Sequence, residues 1–329
     1  MRVAAGLQAI AGADQACPGV APAGIGRTLA NLGRLGCGLA SAAIATLIAA
    51  PPDWGIPFLA GRDYPWTVMN GWLLAIAAVS ALAVFGYACY RLSVRDGLLM
   101  LALCMGVSLA AEYAGLRWRL PFGYRYVYDL ALQPLLLGEV PAAVPPLWFV
   151  VASAPIFFLR RFSVRPAGRL DAGRTLVKTG LCSLYLTATD LFLDPLGVSS
   201  GAWTWPEGGP YFGIPLLNFA GWFVVGVVIF LPYFLLARDS EGPRRRGAAG
   251  LDAAMAAVFI GVTALCFLAC LLRLGTWAPA FAAGAVIVPF WGYWLAGVLA
   301  AKPCRLMDRW IRLDGRFETA ATDADARER

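Results

Sequence analysis

The sequence predicts an all-α membrane protein, a polytopic transmembrane helical bundle of about eight helices with both termini in the cytoplasm. Hydrophobic residues make up 60% and charged residues 14% of the 329 positions, whereas soluble domains have about 45–50% apolar and about 25% charged residues. The mean hydropathy is +0.67, and apolar runs of about 20 residues, long enough to cross a bilayer, recur along most of the chain. Lys and Arg collect at alternate breaks between these runs, which sets the orientation.

Eight apolar runs can serve as transmembrane helices. In chain order they are Leu29–Ala50, Thr67–Tyr90, Gly97–Leu116, Val144–Arg160, Thr175–Leu193, Phe212–Ala237, Leu251–Leu272 and Trp277–Ala301. Four prolines crowd the fourth run, and the apolar stretch before it, Leu130–Leu137, has the character of a re-entrant or interfacial segment, so the count could also be seven or nine. We expect residues 1–28 to form a loosely ordered N-terminal tail, residues 29–301 the helical domain, and residues 302–329 a cytoplasmic C-terminal tail.

The distribution of basic residues supports eight crossings. Of the 27 Lys and Arg residues, the ones expected in outer loops are Arg62, Arg117, Arg119, Arg125 and Arg273. The others lie at inner helix ends or in the tails, where they anchor against anionic headgroups. A net charge of +7 in such clusters indicates a membrane surface rather than nucleic acid as the partner. We therefore expect a multi-pass protein of the inner cell membrane.

The lack of histidine limits the chemistry of the chain. No histidine occurs in the sequence, which excludes histidine-ligated haem, most zinc catalysis and any Ser-His-Asp arrangement. Cys266 and Cys270 share a helical face, but without histidine or further thiolates nearby we interpret the cysteines as small apolar packing residues. We expect neither a metal nor a cofactor, so acid–base chemistry requires carboxylates, Tyr, Lys or Arg.

Two carboxylates stand out inside the apolar runs, Glu112 and Asp190, each about one turn from the outer end of its helix. A charge at that depth is costly, so each is a functional hypothesis. Asp194 follows Asp190 by four positions, so both lie on one helical face, and Pro195 is expected to end the helix. We expect the deeper Asp190 to stay neutral and Asp194 to ionise. The structural alternative is that Asp190 bonds a neighbouring helix and Asp194 only begins a turn.

The two long outer loops, 117–129 and 194–215, carry most of the remaining polar and aromatic residues. Part of their tryptophan content must belong to an interfacial belt. The density of Gly and Pro in the second loop, however, indicates an ordered lid. Aromatic faces beside carboxylic acids in an apolar cavity can stabilise a carbocation without attacking it.

At these positions the sequence resembles the CruF-type carotenoid biosynthesis family, the membrane-embedded carotenoid 1',2'-hydratases that include bisanhydrobacterioruberin hydratases. The resemblance spans residues 65–300 and is carried by the segments Glu112–Gly115, Pro121–Tyr126, Asp190–Pro195 and Gly201–Trp222. It implies a carotenoid biosynthesis enzyme that adds water to a terminal 1',2' double bond of an acyclic carotenoid.

Hydration of such an alkene begins with proton delivery to the 2'-carbon, which leaves a tertiary cation at the 1'-carbon for water to capture. We expect Asp190 or Glu112 to be the acid and Asp194 to orient and deprotonate the water. The candidates for the wall of the substrate site are Tyr124, Tyr126, Trp203, Trp205, Tyr211 and Phe212, with Asn218 as a further binding residue. The arginines at 117, 119 and 125 could fix an ionised carboxylate, and contact with lipid phosphate is the favoured alternative.

Two other functions remain open at this point. An end-group cyclase would form the same type of cation and then lose a proton, so only the product mass separates it from a hydratase. A transporter usually has ionisable or broken-helix sites near the midplane and repeat symmetry, whereas the midplane here is nearly free of charge. The partners expected for the hydratase are an acyclic carotenoid, water and membrane lipid, and association with other carotenoid enzymes is left open.

Overall fold

Seven α-helices make up most of the chain that the structure describes. The structure is a computed structural model, and it describes residues 66–160, 172–237 and 248–299. The helices are α1 (Trp66–Arg91), α2 (Val94–Trp118), α3 (Val144–Arg160), α4 (Ala172–Ser199), α5 (Leu216–Leu236), α6 (Ala248–Leu274) and α7 (Ala278–Leu299). Two-residue strands lie in the loops after α2 and α4: β1 (Val127–Tyr128), β2 (Leu135–Leu136), β3 (Val140–Pro141) and β4 (Trp203–Thr204).

The predicted all-α membrane architecture is confirmed. Six of the helices within the described ranges are long and apolar enough to cross a membrane, and α3 is shorter, with 17 residues. Each of the seven helices coincides with a predicted span. The predicted first span, Leu29–Ala50, lies outside the described residues, as do both predicted tails, 1–28 and 302–329. The cytoplasmic placement of the termini stays a prediction.

Helix α4 lies at the centre of the bundle, where it packs against α3, α5, α6 and α7. Its contact with α5 is close because Gly226 of α5 faces Ser183 of α4. A β-carbon at Gly226 would lie 2.9 Å from the α-carbon of Ser183. Small residues let membrane helices approach closely. This contact places Asp190 on α4 and Asn218 on α5 side by side.

A polar cluster ties α1 to α6 at the end of the bundle opposite the two outer loops. Asp252 of α6 accepts a hydrogen bond from the Tyr87 hydroxyl at 2.7 Å and pairs with Arg91 Nε at 2.8 Å. In the adjacent turn, Ser93 caps α2 by accepting a hydrogen bond from the Asp96 amide at 3.0 Å. A buried carboxylate needs such partners because an unpaired charge in an apolar bundle is costly.

Pro195 does not end α4, so that part of the sequence prediction is wrong. The helix continues to Ser199. A proline removes its own N–H from the helical ladder, and membrane helices tolerate this loss where another group satisfies the freed carbonyl. The freed carbonyl is that of Leu191, and it accepts a hydrogen bond from the Tyr211 hydroxyl at 2.8 Å. A tertiary contact therefore overrides the local rule.

One helix boundary differs from the prediction, and the stretch predicted as re-entrant or interfacial contains a short strand. Helix α5 begins at Leu216 rather than at Phe212, because Phe212 and Gly213 have positive φ angles of 52° and 82°. Such angles reverse the chain instead of continuing a helix. The apolar stretch Leu130–Leu137 contains β2, which pairs with β3 in a short antiparallel hairpin.

Candidate active site

Glu112 lies near the C-terminal end of α2 and is buried, with 5% of its surface exposed. Three donors surround its carboxyl group. The hydroxyls of Tyr126 and Tyr128 lie 2.5 and 2.8 Å from Oε2, and Trp148 Nε1 lies 2.8 Å from Oε1. Gly115, one turn further along α2, makes room for this arrangement, since a β-carbon there would lie 2.8 Å from the Tyr126 hydroxyl. Both carboxyl oxygens of Glu112 are thus engaged.

Asp190 and Asp194 face one side of α4, as their spacing predicts, and each is only 2% exposed. The amide nitrogen of Asn218 donates to Asp190 Oδ2 at 2.7 Å and to Asp194 Oδ2 at 2.8 Å. An amide nitrogen carries two hydrogens, so one asparagine can bridge both carboxyl groups. Among the described residues, Asn218 is the sole hydrogen-bond donor to Asp190.

Two tryptophans of the second outer loop hold the other oxygen of Asp194. Trp203 Nε1 donates a short hydrogen bond to Oδ1, and Trp205 Nε1 donates to the same oxygen at 3.3 Å. The Trp203 ring lies directly on α4 at Gly197, where a β-carbon would be 2.0 Å from Cζ2 of the ring. Only glycine at position 197 leaves space for the tryptophan.

The antiparallel pairing of β1 with β4 joins the two outer loops. Tyr128 lies opposite Trp203 and Val127 opposite Thr204, which confirms that the loops meet on one side of the bundle. Side chains alternate along an extended strand, so Tyr126 and Tyr128 point the same way, as do Trp203 and Trp205. The rings make contact in pairs, with centroids of Tyr126 and Trp205 5.0 Å apart and those of Tyr128 and Trp203 6.0 Å apart. The donors of Glu112 therefore touch the donors of Asp194.

Burial keeps the loop tyrosines in their neutral form. It raises the pKa of Tyr126 and of Tyr128 well above the ordinary value of 10.0, and the nearby Glu112 carboxyl raises both further. Burial, with smaller contributions from Cys270 and Asp190, raises the pKa of Tyr211 to about 12. Neutral hydroxyls can donate, so the two hydroxyls at Glu112 remain donors throughout the neutral pH range.

The three clustered carboxyl groups are close enough to interact electrostatically. Within residues 66–160, 172–237 and 248–299, however, no group of three or more His, Cys, Asp or Glu side chains is arranged to hold a metal ion. The site contains buried carboxyl groups, hydrogen-bond donors and aromatic rings.

Several residues predicted from the sequence lie away from this cluster. Arg117 pairs with Glu139 at 2.5 Å and Arg119 with Glu207 at 3.1 Å, so both contact acids that lie between helices rather than the clustered carboxyl groups. Tyr124 is half-buried, and Arg125 and Phe212 are exposed. Tyr211 lies near the cluster, but its hydroxyl bonds the Leu191 carbonyl.

Sequence reasoning missed Trp148 and Tyr128, which both donate to Glu112, and Trp222, which stacks on Trp148. Trp148, a donor to Glu112, lies in an apolar helix, where a tryptophan carries no signal that separates it from other packing residues. Its ring stacks on that of Trp222, with centroids 3.9 Å apart and an interplanar angle of 16°. Tyr128 could have been found, because the alternation from Tyr126 to Tyr128 matches a strand with both rings on one face.

Comparison with known proteins identifies the family. A family model described as "Carotenoid biosynthesis protein" matches residues 70–290, a range that contains the clustered carboxyl groups and both outer loops. The chain belongs to the carotenoid biosynthesis protein family. The resemblance indicated by the sequence segments is confirmed, and the family supports a carotenoid-modifying role.

This carotenoid biosynthesis protein is similar to the bisanhydrobacterioruberin hydratase of Haloarcula japonica, with 34% identity over 153 residues. The matched region covers 46% of this chain and 49% of the relative. The chain thus spans about half the length of the curated relative it matches. No solved structure matches the carotenoid biosynthesis protein.

Proposed function

We propose that the protein adds water to a terminal 1',2' double bond of an acyclic carotenoid, with Asp190 as the acid and Asp194 as the base. The observation that carries this proposal is the unequal number of donors in the aspartate pair. N–H groups of Trp203, Trp205 and Asn218 point at Asp194, whereas Asn218 alone among the described residues donates to Asp190. An interhelical bond to Asp190 also fits a purely structural role, but a structural role does not require that the two acids share one donor.

The hydrogen-bond pattern supports different tasks for the two acids. Tryptophan and amide N–H groups can donate but not accept, so a proton on either oxygen of Asp194 would face a donor. Oδ1 of Asp190 accepts no hydrogen bond from the described residues, so it has room to carry a proton and to release it. A general acid must hold its proton within reach of the reacting atom, and a general base must be ionised when the proton arrives, a state that the donors around Asp194 favour.

The proposed reaction balances within this pair. The O–H bond of Asp190 breaks as the π electrons of the alkene form a C–H bond at the 2'-carbon, which leaves a tertiary cation at the 1'-carbon. A water oxygen bonds to that carbon and gives one proton to Asp194. Transfer of this proton from Asp194 to Asp190, one helical turn away, restores the starting state. One water is consumed, and no oxidant or reductant is needed.

The surrounding groups suit a cationic intermediate. Aromatic rings stabilise a nearby cation through their negative faces, and Tyr126, Tyr128, Trp203 and Trp205 form one contacting set of rings. Glu112 is held by three donors, so in this proposal it contributes a fixed negative potential rather than a proton. The family supports the substrate class, and we place the reaction in the inner cell membrane, at the outer end of the bundle.

Expression in a host that accumulates lycopene tests the proposal. The expected product carries one added water at each modified end, and growth in water enriched in heavy oxygen should label the new hydroxyl. The same host without the protein is the control. A product of unchanged mass, which an end-group cyclase would give, contradicts hydration.

A further inference from the structure

The turn of α4 that carries both aspartates has a gap in its backbone hydrogen bonding. In a regular helix the N–H of residue 195 would bond the carbonyl of residue 191, but Pro195 has no N–H. Leu191 directly follows Asp190, and Asp194 directly precedes Pro195. The unfilled hydrogen bond therefore lies between the two residues that directly follow the aspartates.

Tyr211 reaches this position from the second outer loop. Its hydroxyl donates to the Leu191 carbonyl at 2.8 Å. A tight turn holds the tyrosine, because its backbone N–H and C=O both bond Ile214, at 3.3 and 2.9 Å, and Ile214 is fully buried. The tyrosine ring also packs edge-on against Phe219, with centroids 5.2 Å apart. Phe219 is the neighbour of Asn218, which bridges the aspartates.

We propose that Tyr211 is a positioning residue, whose hydroxyl replaces the missing helical donor at Leu191 and so fixes the relative placement of Asp190 and Asp194. An unsatisfied buried carbonyl is costly, so without the hydroxyl the turn would rearrange to find another donor. Such a rearrangement would change the geometry of the acid and the base together. This inference rests on the proposed function and gives Tyr211 a task other than the substrate contact predicted from the sequence.

The chain offers a direct test, because replacing Pro195 by alanine restores an N–H one turn beyond Leu191. If the Tyr211 hydroxyl acts by completing the helix, the alanine should make it dispensable. If the hydroxyl acts on the substrate or on water, the alanine cannot replace it. The variants to compare are Tyr211→Phe, Pro195→Ala and the double variant. Tyr113→Phe is the matched control, since the Tyr113 hydroxyl makes no hydrogen bond with the described residues and its ring packs on Trp118 outside the cluster.

Two measurements on the full-length protein in detergent read out the effect. The first is amide hydrogen exchange of residues 190–199, which requires no turnover. The second is the steady-state rate of hydration, resolved into kcat and KM. For Tyr211→Phe we expect faster exchange in this turn and a kcat lower by about 2- to 10-fold, the range for one net hydrogen bond, with KM nearly unchanged. Both values should return toward the parent in the double variant.

Parent-like exchange in Tyr211→Phe would overturn the inference, and so would a double variant as impaired as Tyr211→Phe. A parent protein that hydrates no carotenoid would refute the proposed function alone. The exchange comparison would then still support or overturn the part assigned to Tyr211, because it measures the helix and not the reaction.

Discussion

Replacement of Gly197 by alanine should displace the Trp203 ring from Asp194. A β-carbon at position 197 would lie 2.0 Å from Cζ2 of that ring, and ordinary contacts begin at 3.4 Å. The ring must therefore move by roughly 1.4 Å, the difference between the two distances, which takes Nε1 beyond good hydrogen-bond geometry. A hydrogen bond to a charged group contributes about 1.5–3 kcal/mol. Loss of this stabilisation from the transition state slows hydration by about 10- to 150-fold.

The assay is hydration of the carotenoid per unit of folded, detergent-extracted protein. Gly180→Ala is the matched control, because Gly180 lies on the same helix and a β-carbon there would meet none of the described residues within 4 Å. Alanine favours a helix over glycine by about 1 kcal/mol, so neither change should harm α4 itself. The control variant should therefore hydrate at the parental rate.

A second background tests whether the effect passes through Trp203. Trp203→Phe removes the N–H that bonds Asp194, so adding Gly197→Ala to it should cause little further loss. Interacting positions give such non-additive effects. Equal rates for Gly197→Ala and Gly180→Ala would refute the reasoning, and so would fully additive losses in the double variant.

Three further predictions concern packing, pH and topology. Gly226→Ala should lower the free energy of unfolding by about 1–3 kcal/mol, the usual cost of overpacking, because its β-carbon would lie 2.9 Å from Ser183. Denaturation in detergent measures this free energy. The control is Gly261→Ala, whose β-carbon would meet no described residue within 4 Å. The pKa of Tyr211 is raised from 10.0 to about 12, so between these pH values the folded protein keeps a proton that the unfolded chain loses. The free energy of unfolding should therefore fall from pH 10 to 12, and it should fall less in Tyr211→Phe. Thermal unfolding across this pH range measures the difference. A periplasm-only reporter should be active within residues 195–211 and inactive at the C-terminus, and the reverse would contradict the topology.

The bundle was predictable because the bilayer imposes strong requirements on sequence. A spanning helix needs about 20 apolar residues, so the seven described helices are visible as runs. For the same reason Glu112 and Asp190 could be selected, since ionisable residues inside such runs are rare and costly. The spacing of Asp190 and Asp194 also fixed their common face.

Tertiary contacts account for what the sequence did not show. Trp148 bonds Glu112 because α3 packs against α2, and no local pattern reports that packing. The arginines at 117 and 119 pair with acids of distant loop positions, which residue type alone cannot reveal. Pro195 has the local character of a helix terminator, but the hydroxyl of Tyr211 compensates for its missing N–H.

The central claim, that Asp190 delivers the proton, is tested most directly by Asp190→Asn. This variant should fold, because Asn218 is the single donor to Asp190 among the described residues, and an amide can present its carbonyl oxygen there. Asp194→Asn is less suitable, since its amide group would face an N–H donor on either side. The measurement is carotenoid product with one added water per unit of folded protein, and the amide cannot protonate an alkene. We predict no detectable hydration by Asp190→Asn, and hydration at a near-parental rate would contradict the proposed mechanism.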